Sequence, residues 1–300
     1  TVKLVKDNKV NAIFNLVDKI LNKPKEVADP IADMERLLDL EEPKDELLKT
    51  LSVFIKAFLV LAVFIIPIAF RDDFKGNPAM IYAAILSLPK AKKVLEKTIK
   101  MLSQVKGDGE KGAKDAIGLI AFSIVQAMSE LSREVMYGRV KANDVVDLLE
   151  LAKKAAEIYG DERLNMDVDY SRAVFFFSIK RYDEAAKIFE NINSKTELLG
   201  EGRKRIIILV KLGLAQSYYY LGRYQDSIMI LDSVINLFSK EDRNTELIFA
   251  FYFKGKNLMA LGRRDEGLSL IKKAMEVAKG FDMVAYRLIK DELEKIEEER

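Results

Sequence analysis

The stretch LGRYQDSIMILDSV, residues 221–234, decides the fold because the same pattern occurs twice more in the chain without gaps. It is found as IKRYDEAAKIFENI at 179–192 and as LGRRDEGLSLIKKA at 261–274. When Lys180, Gly222 and Gly262 are aligned as one turn position, the repeats are spaced by 42 and 40 residues. A repeat of that length indicates stacked units, each made of one supersecondary motif. The sequence therefore predicts an array of similar units in the second half of the chain.

Side-chain size varies in the same way around each turn position. Small residues stand seven places before it and five places after it: Ala173, Ala215, Gly255, Ala185, Ser227 and Gly267. Large apolar or aromatic residues stand four places before it and nine places after it: Phe176, Tyr218, Leu258, Phe189, Leu231 and Ile271. Two antiparallel helices joined at the turn position can cross closely only where side chains are small. The pattern therefore predicts helical hairpins whose helices cross at these small residues.

The middle repeat resembles a tetratricopeptide (TPR) unit. The resemblance is carried by a succession of small, large, glycine, aromatic, small, large and small residues: Ala215, Tyr218, Gly222, Tyr224, Ser227, Leu231 and Val234. Its neighbours, Phe176–Ile192 and Leu258–Ala274, are similar but looser, no unit has the family's terminal proline, and the period exceeds the usual 34 residues. The resemblance covers about residues 165–280 and implies an α-solenoid of antiparallel helix pairs that binds a protein or peptide.

A further unit is indicated upstream, starting near residue 117. The sequence Tyr137–Arg139 (YGR) places Gly138 at 42 residues before Lys180, which is the repeat spacing. This unit is degenerate, because Asn143 and Asp147 stand where a small and a large apolar residue are expected.

The TPR resemblance also places one face of each unit's first helix on a concave groove. The inward positions of these helices are mostly aromatic or apolar: Tyr170, Val174, Phe177, Leu212, Gln216, Tyr219, Phe249, Tyr252, Lys256 and Met259. TPR domains that clamp a peptide carboxylate use Lys and Asn on this face, whereas Tyr170, Leu212 and Tyr252 stand here at the position of the first clamp residue. We therefore expect a groove for an apolar or amphipathic helix or peptide. The alternative is that part of this stripe is core, covered by the N-terminal region.

Composition favours a folded binding protein over an enzyme. The chain has 300 residues, of which 49% are hydrophobic, and 49 Lys and Arg are balanced by 47 Asp and Glu. A net charge of +2 creates no strong field for nucleic acid or membranes. The chain has no His and no Cys, so the commonest general base and the commonest zinc ligands are missing. We expect a protein or peptide partner and no catalytic residue, cofactor or metal, and the sequence leaves open whether copies of the chain associate.

Helical periodicity dominates the whole chain and predicts an all-α protein with an N-terminal helical domain followed by the solenoid. The predicted divisions are a helical domain at 1–106, a linker at 107–114 (GDGEKGAK), and TPR-like repeats at 115–300. The linker contains a literal G-x-G-x-x-G, but it follows a Lys-rich helix and not the strand that a dinucleotide site requires. The last residues, 282–300, are expected to form a polar-faced capping helix.

Two alternative functions depend on the N-terminal region. The run 57–70 contains no charge, and a segment at 47–70 could anchor a membrane-associated assembly factor, although a buried central helix is favoured. The lysines between 90 and 106 could serve a nucleic-acid-associated regulator. The first ten residues do not resemble a signal peptide, which favours a cytoplasmic protein, and four Gln with no Cys resemble a thermophilic composition.

Overall fold

The structure is a computed structural model that describes residues 52–54, 57, 88–195, 204–238 and 244–298. Every regular element in these residues is helical, which confirms the all-α class. The elements are α1 Leu88–Ser103, a 3₁₀ turn Gly107–Gly109, α2 Glu110–Met136, α3 Ala142–Tyr159, α4 Glu162–Ser178, α5 Tyr182–Lys195, α6 Lys204–Tyr220, α7 Tyr224–Ile235, α8 Thr245–Ala260, α9 Arg264–Ala278 and α10 Met283–Glu298.

The chain divides into two compact units, Thr1–Ser171 and Arg172–Arg300, and the division falls within α4. The structure has helix where the sequence predicts a linker, because 107–114 forms the 3₁₀ turn and the first turn of α2. Glu110 places an acid in that first turn, where it interacts favourably with the helix dipole. Gly112 packs against the ring of Phe54, which would lie 3.1 Å from a Cβ at this position. Gly112 therefore serves close packing, and both ends of the segment belong to the first unit.

In the first unit, α1, α2 and α3 contact one another. One side of α1 is buried through Val94, Leu95, Ile99 and Leu102. Gly107–Met136 is the one stretch of the described residues that is long and apolar enough to cross a membrane by length and composition. Half of its most apolar window is buried within the protein, and the core helix of a folded domain meets the same criteria. The predicted anchor at 47–70 lies almost entirely outside the described residues.

The turn position has the same backbone structure in all four hairpins. Its residue adopts a left-handed conformation each time, with φ of 69° at Gly138, 64° at Lys180, 74° at Gly222 and 80° at Gly262. At Gly222, the backbone N–H donates to the Tyr219 carbonyl, and the next N–H, of Arg223, donates to the Tyr218 carbonyl at 2.9 Å. This pair of bonds is a Schellman motif, which ends a helix and favours glycine. Because Gly138 ends α2 in the same way, the structure confirms the predicted turn of the upstream unit.

The small residues meet where the two helices of a hairpin cross. A Cβ on Gly267 would lie 2.6 Å from the carbonyl oxygen of Gly255, so the backbones of α8 and α9 are in direct contact. In the preceding hairpin, Ser227 Oγ of α7 donates a 2.7 Å hydrogen bond to the carbonyl of Ala215 in α6. The predicted crossings are therefore confirmed in these two hairpins.

The second unit is a TPR-like solenoid by the order of its helix contacts. Helix α6 contacts its own partner α7, the preceding α5 and the following first helix α8, and α8 in turn contacts α7 and α9. One core cluster joins α6, α7 and α8 through residues such as Leu231 and Ala250. A second joins α8, α9 and α10 through residues such as Ile271 and Ile289. Each hairpin therefore buries its apolar surface against its neighbours, as a solenoid requires.

Candidate functional site

Seven aromatic rings of the described residues contact one another in a continuous series across three hairpins. We call this series the aromatic chain, and its members are Phe177, Tyr182, Tyr220, Tyr219, Tyr224, Phe253 and Tyr252. Tyr182 and Tyr220 stack with ring centres 4.5 Å apart and planes 9° from parallel. Phe177 packs edge-on against both rings, at 5.3 and 5.7 Å. The first helical hairpin of this unit is thereby joined to the second.

The second half of the aromatic chain passes from α6 to α8. Tyr219 contacts Tyr220 at 5.2 Å, Tyr224 at 5.8 Å and Phe253 at 5.8 Å, and Phe253 contacts Tyr252 at 5.4 Å. The predicted stripe residues Phe177, Tyr219 and Tyr252 thus belong to one series of rings, but they are connected through Tyr220 and Phe253. Aromatic pairs in such offset and edge-on arrangements contribute about 0.5–1.5 kcal/mol each beyond the area they bury.

Lys256 lies between two of these rings and forms an ion pair. Its Nζ is 5.6 Å from the ring centre of Tyr219 and 5.3 Å from that of Tyr252, so both rings attract the ammonium through cation–π interactions. The same Nζ is 3.2 Å from Oε1 of Glu292, which α10 contributes. The hydroxyl of Tyr252 donates a hydrogen bond to the other oxygen of Glu292. Three residues from two helices therefore form one polar cluster at the end of the aromatic chain.

The polar cluster changes the acid–base properties of its members. Burial and the hydrogen bond to Glu292 raise the pKa of the Tyr252 phenol to about 12, although the nearby Lys256 opposes this effect. Burial by itself lowers the pKa of Lys256, but interactions with Tyr252 and Glu292 outweigh it and raise the pKa above its ordinary value. At neutral pH, the phenol is therefore neutral and the lysine is charged.

A pocket of about 260 Å³ opens beside this cluster, between α8 and α10. Its lining is mostly apolar and consists of Thr245, Ile248, Phe249, Tyr252, Asp282, Val284, Ala285, Leu288, Ile289 and Glu292. Phe249 is 41% exposed at its edge. Its volume is large enough for an apolar side chain. Such a side chain can enter from outside, because Phe249, Val284 and Leu288 in its walls are exposed to solvent.

Not all of the predicted groove residues face this surface. Leu212 is only 5% exposed and belongs to the core cluster of α6, α7 and α8, so the structure places it in the core instead. Met259 is also structural, because its side chain covers Gly267 at the hairpin crossing. Gln216 is half-buried, and Val174 is exposed on α4. Tyr170 is half-buried and belongs to the first unit, so it lies outside the solenoid unit that contains the aromatic chain.

Sequence reasoning missed the contribution of α10. It predicted only a polar-faced capping helix at 282–300, whereas the structure pairs the Glu292 carboxylate of this helix with Lys256 and Tyr252. A signal was present in the spacing, since Glu292 stands 40 residues after Tyr252, which is the repeat period. The carboxylate pairs at 183–184 and 265–266 lie in the first turns of α5 and α9, where they complement the helix dipole.

The lysines of the N-terminal region are arranged as an ordinary helix surface. Lys92 of α1 pairs with Asp147 of α3 at 3.1 Å, and Lys93 and Lys100 are exposed. A second group of basic residues stands at 203–205: Arg203 lies outside the described residues, while Lys204 and Arg205 are exposed in the second unit.

No protein-family model matches the chain, and no curated protein matches it either. Among solved structures, a putative kinesin light chain from Podosopora anserina with nearly identical TPR-like repeats is 12% identical, covering 71% of this chain and 96% of its own, at a TM-score of 0.46. BtubC (BKLC) from P. vanneervenii is 11% identical, with 93% and 94% covered and a TM-score of 0.47.

A third solved structure, NprR in complex with its cognate peptide NprX, is 15% identical, covers 98% of this chain and 76% of its own, and has a TM-score of 0.43. Identities and TM-scores this low identify no family. The TPR-like assignment rests on three features of this chain: its helix turns, the close helix crossings and the order of helix contacts. The second unit is similar to TPR-like repeat proteins in all three features.

Proposed function

We propose that the protein is a non-enzymatic interaction scaffold whose second unit binds an apolar or amphipathic helix or peptide. The observation that carries the proposal is the continuity of the aromatic chain across three hairpins, ending at an apolar pocket with an exposed Phe249 at its edge. Aromatic and apolar surface in a concave site supplies large contact area at little cost in side-chain entropy.

The charges near the pocket support an apolar ligand over a peptide carboxylate. Lys256 is the cation among the predicted groove positions, and its ammonium is already paired with Glu292. A ligand carboxylate would have to displace Glu292 and leave a half-buried acid without its partner, which costs free energy. The two acids that line the pocket, Asp282 and Glu292, repel an anion further.

The aromatic rings of this surface differ in how accessible they are to a partner. Tyr219 and Tyr252 are half-buried and pack against the core clusters, so they support the solenoid as well as its surface. Tyr220 and Phe249 are exposed and can be reached without any rearrangement. Phe249 is therefore the residue of choice for testing binding separately from folding.

The test is site-specific photo-crosslinking in the full chain. A photoreactive phenylalanine derivative replaces Phe249 in α8, which is 41% exposed, or, as a control, Met229 in α7, the second helix of its hairpin, which is 58% exposed. We expect cross-links to a partner from a cell lysate at position 249 and none at position 229. Excess wild-type chain should compete for that adduct, whereas Phe249→Ala should compete roughly thirtyfold less well, the typical effect of removing an anchoring ring.

The Phe249→Ala chain should keep a melting temperature close to that of the wild type, because Phe249 is exposed and belongs to neither the α6–α7–α8 nor the α8–α9–α10 core cluster. Equal adducts at 229 and 249, or undiminished competition by Phe249→Ala, would contradict the proposal.

A further inference from the structure

The pocket between α8 and α10 carries a negative charge that the described residues around it do not balance. The described residues that line it include two carboxylates, Asp282 and Glu292, and no Lys or Arg. Both oxygens of Glu292 are engaged, one with the ammonium of Lys256 and the other with the hydroxyl of Tyr252. Asp282 forms no ion pair with any residue in the described part of the chain. The unbalanced charge of the pocket therefore lies at Asp282.

The Asp282 carboxylate is held in place at the start of α10. Its Oδ1 accepts a 2.9 Å hydrogen bond from the backbone N–H of Ala285, so the side chain caps the helix. A carboxylate accepts hydrogen bonds on both oxygens, and this cap leaves Oδ2 available to a second donor. Because Asp282 is half-buried, salt screens its attraction for a cation less than it screens that of an exposed acid. The pocket therefore offers a fixed acceptor for a cationic group.

The other walls of the pocket suit a hydrocarbon chain. Ile248 and Ile289 are buried, Ala285 is half-buried, and Phe249 and Tyr252 add two aromatic rings. Lysine and arginine bury their methylene stems on such apolar surface while their charged ends reach a polar site, and aromatic rings attract the cation as well. A wholly apolar side chain in the same place would shield the carboxylate from water without donating to it, which costs free energy.

The position of Lys256 decides which end of the pocket receives the charge. Its ammonium lies beside Glu292 and repels a second cation there. Asp282 stands ten residues before Glu292 in the chain, about 15 Å away along a helix axis, so the repulsion from Lys256 is weak at Asp282. The charged end of an entering side chain is therefore directed to Asp282.

We propose that the pocket receives a lysine or arginine side chain of the partner segment, with its stem between Ile248 and Ile289 and its charged end on the Asp282 carboxylate. This inference rests on the proposed function and names the residue with which the partner is anchored. It selects amphipathic segments that carry a basic residue beside their apolar face, and it disfavours acidic segments and wholly apolar ones.

The first test measures binding of the side chain alone to the full chain. The probes are n-propylguanidinium, which is the arginine side chain without its backbone, and n-propylurea, which has nearly the same shape and no charge. Methyl NMR signals of Ala285 and Ile289 report entry into the pocket. We expect saturable shifts with both probes and roughly tenfold tighter binding of n-propylguanidinium, the usual effect of a hydrogen bond to a charged group.

Two matched variants assign that preference to one carboxylate. Asp282→Asn removes the charge but keeps the helix cap, because Asn caps helices as well as Asp does, and it should bind both probes equally. Asp291→Asn removes an exposed acid of the same helix that does not line the pocket, and it should behave as the wild type. Equal binding of the two probes by the wild type, a preference that survives in Asp282→Asn, or no shift with either probe overturns the inference.

The second test uses the cross-linked adduct at position 249 and separates this inference from the proposed function. Excess Asp282→Asn chain should compete for the adduct roughly tenfold less well than the wild type, whereas Asp291→Asn should compete equally well. If Asp282→Asn competes as well as the wild type, the basic anchor is wrong and the scaffold function stands. If no specific adduct forms at position 249, the proposed function fails and this inference fails with it.

Discussion

The crossing of α8 and α9 at Gly255 and Gly267 shows how single residues set the spacing of a hairpin. Each glycine lies against the carbonyl oxygen of the other, at distances from a hypothetical Cβ of 2.7 and 2.6 Å. In the neighbouring hairpin the same two positions hold Ala215 and Ser227, and there a hydrogen bond joins the helices. Asn257 extends that contact by donating from Nδ2 to Ser227 Oγ at 2.9 Å. Both crossings therefore require small side chains, and only the crossing of α6 and α7 adds a hydrogen bond between the two helices.

We expect Gly267→Ala to lower the free energy of unfolding by about 1–3 kcal/mol, the usual cost of overpacking a tight interior. A methyl group here meets both the Gly255 carbonyl and the side chain of Met259, and the backbone cannot move aside without separating the helices. Urea unfolding followed by circular dichroism measures the change. Ser269→Ala, at an exposed position of the same helix, is the control and should leave stability nearly unchanged. Equal stability of both variants would show that the crossing is loose.

At the scale of elements, the arginine after the turn makes a recurring contact at the start of the second helix in three hairpins. Arg181, Arg223 and Arg263 each pair with an acid three residues later, in the first turn of the second helix. The guanidinium of Arg223 also lies 3.9 Å from the ring centre of Tyr218 and 3.2 Å from Glu190 of α5. Arg223 therefore links successive hairpins, while the exposed pairs within one helix start contribute little.

The contact between α8 and α10 predicts a dependence of stability on alkaline pH. The pKa of Tyr252 is raised from 10.0 to about 12 in the folded protein, so the unfolded chain loses this proton first. The resulting stabilisation is complete below pH 10 and is lost as the pH rises towards 12. The pKa of Lys256 is also raised, and it acts in the same direction.

The measurement is urea unfolding at about pH 9 and about pH 11.5, below and within this interval. Tyr252→Phe should lose less stability than the wild type between the two conditions, because it has no phenol to ionise. Tyr137→Phe, which removes an exposed hydroxyl, is the control and should follow the wild type. Identical losses in all three proteins would mean that Glu292 does not hold the Tyr252 phenol.

The whole chain is organised differently from the predicted division at 107–114. Helix α1, before that segment, packs on α2 and α3 after it, and the boundary between the compact units lies at Ser171 and Arg172. A cut at 106 would remove α1 and expose the faces of α2 and α3 that it covers. A cut at 171 would divide α4.

We therefore expect a fragment of residues 162–300, which keeps α4 whole, to fold by itself. It retains both core clusters of the second unit and should show helical circular dichroism with one cooperative unfolding transition. A fragment of residues 107–300 should instead associate or bind a hydrophobic dye, because the loss of α1 exposes apolar surface. A 162–300 fragment without cooperative unfolding would contradict the division at 171.

The sequence by itself determined the features that depend on contacts within one hairpin. Glycine or lysine in a left-handed conformation at the turn, small residues at −7 and +5, and large residues at −4 and +9 act over a few helical turns. Their spacing along the chain therefore indicates them directly. The TPR-like hairpins, their register and the upstream turn at Gly138 follow from these local rules.

Only the tertiary structure decided which side of each first helix meets its neighbours. A small rotation of α6 about its axis is enough to bury Leu212 and leave Tyr220 exposed, and sequence periodicity does not resolve such a rotation. Glu292 reaches Lys256, 36 residues earlier in the sequence, because α8 and α10 share one core cluster. The candidate site depends on these contacts between hairpins, and their geometry is set by the packing of the whole solenoid, not by any single repeat.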